Sequence, residues 1–128
     1  MKPTLTALIV GFLLAPLPAI AHHAFAAEFD ANKTVTVQGA VSKVEWTNPH
    51  IWIYVDMKDA EGNVARWQCE GGSPNTLTRQ GWTRDSLKVG DRVSIEGFRA
   101  KNGSNTCNSR VVTTADGKRL FAGSSSGQ

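Results

Sequence analysis

The sequence predicts an all-β fold with one short helix, arranged as a five-stranded OB-like Greek-key barrel. Short segments alternate in polarity with period two, polar turns separate them, and a single helix start, Ser73-Pro74, lies between the third and fourth segments. This is the strand and helix order of an OB fold, in which ligands lie across strands two and three and the loops after strands one and four. The fold class therefore also predicts where a ligand binds.

The first predicted strand starts at Thr34 and is long and bent. Its valines share one face as far as Val41, but Val44 falls in the opposite phase. We therefore expect a β-bulge between Gly39 and Lys43.

The second strand follows a turn at Asn48-Pro49, which neither a helix nor a central strand accommodates. After the turn, aliphatic residues alternate with a second set: the aliphatic face is Ile51, Ile53, Val55 and Met57, and the opposite face is Trp52, Tyr54 and Asp56. An aromatic face of this kind either packs in a core or forms a platform for a ligand, and both interpretations stay open.

The remaining elements follow from turn and cap signals. A polar loop at residues 59–63 leads to a third strand, Val64 to Glu70, whose inward set is Ala65, Trp67 and Cys69. Ser73 is the expected N-cap of a helix that has Pro74 at its first position and ends at Gly81. A fourth strand runs from Arg92 to Phe98, and a last hairpin turns at Asp116-Gly117 between residues 109–114 and 118–121.

The N-terminus has the pattern of a secretory signal peptide. Lys2 precedes an apolar run, and Ala19-Ile20-Ala21 is a small-x-small cleavage site. We expect residues 1–21 to be removed and residues 22–33 to form an N-terminal arm. The OB-like domain then spans 34–122, followed by a disordered Gly/Ser tail at 123–128, and no membrane span remains. The mature chain is predicted to be periplasmic or secreted.

The charge balance argues against a nucleic-acid partner. The mature chain keeps 13 basic and 11 acidic side chains, and the basic residues are scattered singly. Five of them fall near the helix and the loop after strand four, where they form either one patch or an ordinary solvated surface: Arg79, Arg84, Arg92, Arg99 and Lys101.

The chain has two cysteines, Cys69 and Cys107. In an exported chain these are expected to pair, and the third and fifth strands of an OB fold are neighbours. The alternative is two unpaired thiols on adjacent strands.

Four segments resemble a family of exported bacterial proteins catalogued as domain of unknown function 6152: residues 44–53, 72–75, 81–91 and 99–105. The His22-His23-Ala-Phe start resembles it as well. The resemblance implies export and a small β-barrel and carries no catalytic residues with it. Cys69 and Cys107 depart from the usual family pattern.

Candidate ligand-binding residues cluster around the Asn48-Pro49 turn: Trp46, Asn48, His50, Trp52 and Tyr54. His50 is a ligand or proton carrier at the mouth of the barrel, or it donates to a backbone carbonyl and fixes the turn. The aromatic residues, with Trp67 and Trp82, either stack on flat rings or pack in the core.

Cleavage before His22 would create a candidate copper site. The free α-amine and the imidazole of His22 form a nitrogen chelate that suits Cu(II), and His23 or His50 would complete it. The alternative is a frayed terminus with solvated histidines.

No catalytic motif is present, so we do not expect an enzyme. The leading hypothesis is a non-enzymatic exported binding module for a small ligand or a protein partner, with no certain cofactor. The second is a copper-binding protein.

Overall fold

The computed structural model describes residues 25–123. Residues 25–28 are helical. They are followed by β1 (Phe29–Glu45), β2 (Trp52–Lys58), β3 (Val64–Glu70), α1 (Pro74–Arg79), β4 (Arg92–Ala100), β5 (Thr106–Thr114) and β6 (Arg119–Phe121). The prediction of a β-rich fold with a helix between the third and fourth strands is confirmed.

Over residues 25–123 the strands form one six-stranded sheet in the order β3-β2-β1-β4-β5-β6. Neighbours in this order are antiparallel. In addition, β3 pairs with β5 in parallel. The predicted count of five strands is one short, because the second arm of the last hairpin is the separate strand β6.

The long first strand is bent where its sequence phase changes. Its register against β2 shifts between Val41 and Lys43, inside the predicted interval, so the bulge is confirmed. The strand begins at Phe29, within the segment interpreted as an arm, and a second register shift separates Phe29 from Thr34. This irregularity explains why no sustained period was visible in residues 29–33.

The short helix is capped as its sequence predicts. The Ser73 hydroxyl accepts a hydrogen bond from the amide of Thr76, and Pro74 occupies the first turn. The helix ends at Arg79, and Gly81 has a positive φ of 98°. Leu77 is its buried residue, so the helix packs one apolar side chain into the core.

The core is formed by the inward faces of the strands. The aliphatic face of β2, from Ile51 to Val55, is fully buried, as are Val37 of β1 and Ile95 of β4. The opposite face of β2, which carries Trp52 and Tyr54, is half-buried. The alternation predicted for this strand is confirmed.

Cys69 and Cys107 are paired across the parallel contact between β3 and β5. They are partners in the register, their Cα atoms lie 4.5 Å apart and their sulfurs lie at disulfide-bonding distance. Both side chains are fully buried. The predicted adjacency of the two cysteines is confirmed.

Candidate functional site: the β2–β3 groove

Trp46, the first of the predicted ligand-binding residues, packs against the core. Its ring centroid lies 6.4 Å from that of Trp82, and its side chain is half-buried. Trp82 is buried and its Nε1 donates a hydrogen bond to the carbonyl of Phe121 at 2.8 Å. Trp46 therefore contributes to packing at this end of the molecule.

The chain after the Asn48-Pro49 turn is tied to the end of β3. The amide of Ile51 donates to the carbonyl of Gly72 at 3.0 Å, and the amide of Gly71 donates to the carbonyl of Ile51 at 2.9 Å. Asn48 itself is exposed. These hydrogen bonds bring the residue that follows the turn, His50, to the end of β3.

His50 contacts the carboxylate of Glu70, the last residue of β3, through Nδ1 and Oε1. The side chain of His50 is 40% exposed and that of Glu70 only 10%. Burial raises the pKa of the Glu70 carboxyl above its usual value; His50 opposes this rise, and the charge of Glu28 adds to it. A carboxylate on Nδ1 fixes the orientation of the ring and leaves Nε2 as the nitrogen that can bind a ligand.

Tyr54 is held by charged neighbours on β1. Lys43 Nζ lies 5.4 Å from the Tyr54 ring centroid, and the Tyr54 hydroxyl lies 3.4 Å from Glu45 Oε2. Lys43 and Glu45 form an ion pair at 2.7 Å, which lowers the pKa of Glu45 and raises that of Lys43. Tyr54 is therefore held in place by Lys43 and Glu45 of β1.

Trp52 lines a groove of about 590 Å³, which we call the β2–β3 groove. Its walls come from the helical N-terminal segment, from β2 and β3, and from the loop between β4 and β5. The lining residues are Ala27, Glu28, Phe29, Trp52, Gln68, Ala100, Lys101, Asn102, Ser104 and Thr106. This volume is in the usual range for small-molecule sites.

Polar side chains at one side of the groove are linked through a hydroxyl of β5. Gln68 Nε2 donates to Thr106 Oγ1 at 3.1 Å, and Ser104 Oγ donates to the same oxygen at 3.0 Å. Gln68 is the register partner of Thr106 across the β3–β5 contact. These hydrogen bonds give the amide and the two hydroxyls defined positions.

The N-terminal segment is docked on the loop after β4. The amide of Lys101 donates to the carbonyl of Glu28 at 2.8 Å, and Lys101 Nζ donates to the carbonyl of Ala26. The Phe25 ring packs edge-on against Phe98, with centroids 5.7 Å apart. One wall of the groove is therefore fixed to the other by both polar and aromatic contacts.

The model of a family of unknown function, DUF6152, matches residues 11–109. The chain belongs to this family. The match includes every residue that lines the β2–β3 groove and stops before most of the last hairpin. No curated protein matches the chain.

The DUF6152 chain has a second groove, of about 630 Å³, at the other end of β2. Its lining includes Gln38, Asp56, Met57 and Arg92. Within the described residues, none of the predicted ligand-binding residues Trp46, Asn48, His50, Trp52 and Tyr54 lines this second groove. Of these two grooves we favour the β2–β3 groove, because it joins Trp52 to the loop after β4, the two features that the sequence predicted for a ligand site.

The five basic residues considered as a patch are divided by the length of β4. Arg92 is the first residue of this nine-residue strand and Arg99 the eighth, so their Cα atoms are about 23 Å apart along it. The Arg99 guanidinium donates a hydrogen bond to a carbonyl of the loop after β4, and Lys101 Nζ donates to the carbonyl of Ala26. The single-patch interpretation does not hold for this DUF6152 chain.

Two of the three candidate metal ligands, His22 and His23, lie outside the described residues. Within 25–123, no group of three His, Cys, Asp or Glu side chains is arranged to hold a metal ion. The same part of the chain contains no helix long and apolar enough to cross a membrane.

The sequence predicted the loop after strand four, which carries Asn102 and Ser104, as part of the site, but it missed Glu28, Gln68 and Thr106 of the groove and Glu70 beside it. The outward phase of β3 carried a usable signal for Gln68 and Glu70, since Trp67 and Cys69 were assigned to the core. The register then pairs Glu70 with Trp52 on the same outer face. For Glu28 no local signal existed, because its position depends on how the N-terminal segment docks.

Proposed function

We propose that this chain is an exported, non-enzymatic binding module with an OB-like Greek-key barrel, and that it holds a small ligand in the β2–β3 groove. The observation that carries the proposal is the groove itself, which joins Trp52 of β2, Gln68 of β3 and the loop after β4. These are the surfaces that OB folds use for ligands.

The barrel assignment is supported by the strand pairings. Antiparallel contacts connect β3 to β2, β2 to β1, β1 to β4 and β4 to β5, and the parallel contact of β5 with β3 links the two ends of this series. A ring of five strands in this order, with α1 between β3 and β4, is the arrangement of an OB fold. On this assignment β6 is an addition to the edge of β5.

Export is supported by the sequence of residues 1–21 and by the cysteine pair, since disulfides persist in oxidising compartments. The test is expression of the full chain in a bacterium and mass spectrometry of the protein released from the periplasm. A first residue of His22 is expected. An uncut chain in the cytoplasm would contradict the export proposal.

The binding proposal is tested by titrating a fragment library into ¹⁵N-labelled protein spanning 22–128 and following amide and indole shifts by NMR. We expect the shifts to cluster at the Trp52 indole, at Gln68 and at residues 101–106. Trp52→Ala should abolish them. Phe121→Ala is the matched control, because Phe121 is an aromatic side chain 68% exposed on β6, outside the groove. Shifts centred on the groove beside Arg92, or equal shifts in both variants, would overturn the proposal.

The pairing of His50 with Glu70 favours copper binding as a second candidate function. Histidines that bind metals commonly donate their other ring nitrogen to a carboxylate, and the partly exposed His50 has such a partner on Nδ1. The His22 amine and imidazole would supply the other ligands, and His23 is an alternative to either histidine.

The copper test compares three forms by isothermal titration with Cu(II): protein that starts at His22, protein that retains Ala21, and protein that starts at His22 and carries His50→Asn. If the amine chelate and His50 are ligands, both altered forms should bind at least about tenfold more weakly, a difference of about 1.4 kcal/mol. Equal affinity in all three forms, or no binding by the His22 form, would exclude this site.

A further inference from the structure

We infer that the β2–β3 groove takes an uncharged saccharide chain, with one sugar ring placed against Trp52. The inference rests on the proposed binding function and names the chemical class of its ligand. It is carried by three properties of the groove: a half-buried indole flanked by hydrogen-bonding side chains, charges that are mostly paired, and lining residues that lie on neighbouring strands.

The lining chemistry combines one aromatic side chain with several neutral polar groups. Trp52 is half-buried, whereas Gln68, Asn102 and Ser104 are exposed. A side-chain amide both donates and accepts, and so does a hydroxyl, which matches a ligand covered with hydroxyl groups. The less polar faces of a sugar ring match the indole.

Carboxylates beside the indole add acceptors. Trp52 has Glu70 as its register partner on β3 and Glu45 as its partner on β1, so all three side chains share the outer face. Glu28 lines the groove and is close enough to Glu70 to raise its pKa. Ligand hydroxyls can donate to such oxygens, whereas a phosphate or sulfate group would be repelled.

Apart from Glu28, the charges at and beside the groove have partners in the part of the chain that the structure describes, so a net charge on the ligand is not required. Glu45 is paired with Lys43, Glu70 with His50, and Lys101 Nζ with the carbonyl of Ala26. A polyanion would need an uncommitted basic surface, and a cation would have to compete with Lys43 and His50 for their carboxylates. An uncharged ligand avoids both difficulties.

The groove extends across three strands. Trp52 is on β2, Gln68 on β3 and Thr106 on β5, and successive strands are separated by about 4.8 Å, so the polar and aromatic positions span about 10 Å. This span is comparable with a disaccharide. The groove is partly open to solvent, which leaves room for a glycan chain to continue beyond it.

The experiment titrates a panel of uncharged oligosaccharides into the protein spanning 22–128: α-1,4- and β-1,4-linked glucose, β-1,3-linked glucose and N-acetylglucosamine tetramers. Choline serves as the cationic probe and a heparin tetramer as the anionic one. Affinity is measured by isothermal titration, and the site is located by the amide and indole shifts of the labelled protein.

We expect at least one uncharged tetramer to bind with shifts at Trp52, Gln68 and residues 102–106. Trp52→Ala should weaken binding about tenfold or more, in line with aromatic stacking at other ring-binding sites. Asn102 and Ser104 are exposed loop residues, so replacing either with Ala should leave the protein folded. Asn102→Ala and Ser104→Ala should each weaken binding a few-fold. Phe121→Ala should leave the affinity unchanged.

The other outcomes distinguish the saccharide class, the uncharged ligand and the binding function from one another. If fragments bind in the groove but no tetramer does, the saccharide class is wrong and the binding module stands. If choline or heparin binds there instead, the charge argument is wrong. If neither fragments nor tetramers reach the groove, the proposed function fails together with the inference.

Discussion

The guanidinium of Arg99 lies over the indole ring of Trp67, with its central carbon 5.2 Å from the ring centroid. The same group donates to the carbonyls of Gly103 and Ser104, at 2.8 and 3.2 Å. A planar cation with several donors can stack and donate at once, which an ammonium group cannot do equally well. Arg99 therefore connects the core to the loop that forms one wall of the β2–β3 groove.

Replacing Arg99 with Lys should loosen this loop without unfolding the protein. The substitution keeps the charge and removes the planar fork, so we expect local opening to become easier by about 1 to 2 kcal/mol. Amide hydrogen exchange at Gly103 and Ser104 should then be about 5- to 30-fold faster. Arg110→Lys is the control, because Arg110 lies 5.3 Å over the Phe98 ring and has no hydrogen bond to the loop. Unchanged exchange in Arg99→Lys would show that the loop is held by other contacts.

Loss of the cysteine pair should strongly destabilise the fold. Cys69 and Cys107 are 38 residues apart, and closing a loop of this length restricts the unfolded chain by about 4 kcal/mol on the chain-entropy model. The double variant to Ala should lose a similar amount in urea unfolding, and wild type with a reductant should approach it. Thiol labelling of native wild type should find no reactive cysteine. Labelling of both thiols before unfolding would contradict the pairing.

Two glycines are required by close backbone approach. A Cβ at Gly39 would overlap the carbonyl oxygen of Asp56, and one at Gly97 would overlap that of Asn108. Substituting either with Ala should lower the free energy of unfolding by about 1 to 3 kcal/mol, because backbone atoms have to move. Gly123→Ala is the matched control, since its nearest atom would be at 3.6 Å. Equal stability of all three variants would show that the strands adjust freely at these points.

The sequence carried most of the information about the strands and little about contacts between distant segments. Period-two alternation located the core face of β2, and the change of phase in β1 located its bulge, because both are local consequences of the pleat. The Ser73 cap and Pro74 fixed the start of α1 for the same reason.

The candidate site was only partly predictable because it is assembled from segments far apart in the chain. The sequence placed Trp52 on the face opposite the aliphatic residues but left open whether that face is core or platform. Its neighbour Glu70 follows from the register, and His50 reaches Glu70 through the hydrogen bonds of Ile51. The docking of Phe25 on Phe98 has no periodic signature in residues 25–33. For Trp46 the sequence left both a ligand platform and the core open, and the structure shows that it packs against the core.

The pH dependence of stability should reveal the burial of Glu70. Its pKa is raised above the usual value for a Glu carboxyl, chiefly by burial, so the folded chain binds a proton more tightly than the unfolded chain does. Between these two pKa values the folded state holds more protons, and the free energy of unfolding falls as the pH rises.

Glu70→Gln tests this expectation, because it places a neutral amide of similar size beside His50 and removes the ionisable carboxyl. The variant should therefore gain stability over wild type as the pH rises from about 4.5 through the folded pKa, and the difference should level off above it. Urea unfolding at about pH 4 and about pH 8, in the presence of a chelator, measures this change. Glu96→Gln is the control, because Glu96 is 49% exposed beside Arg119 and its removal should matter little at either pH. A Glu70→Gln variant less stable than wild type at the higher pH would mean that the contact of the carboxylate with His50 outweighs the cost of burying the carboxylate.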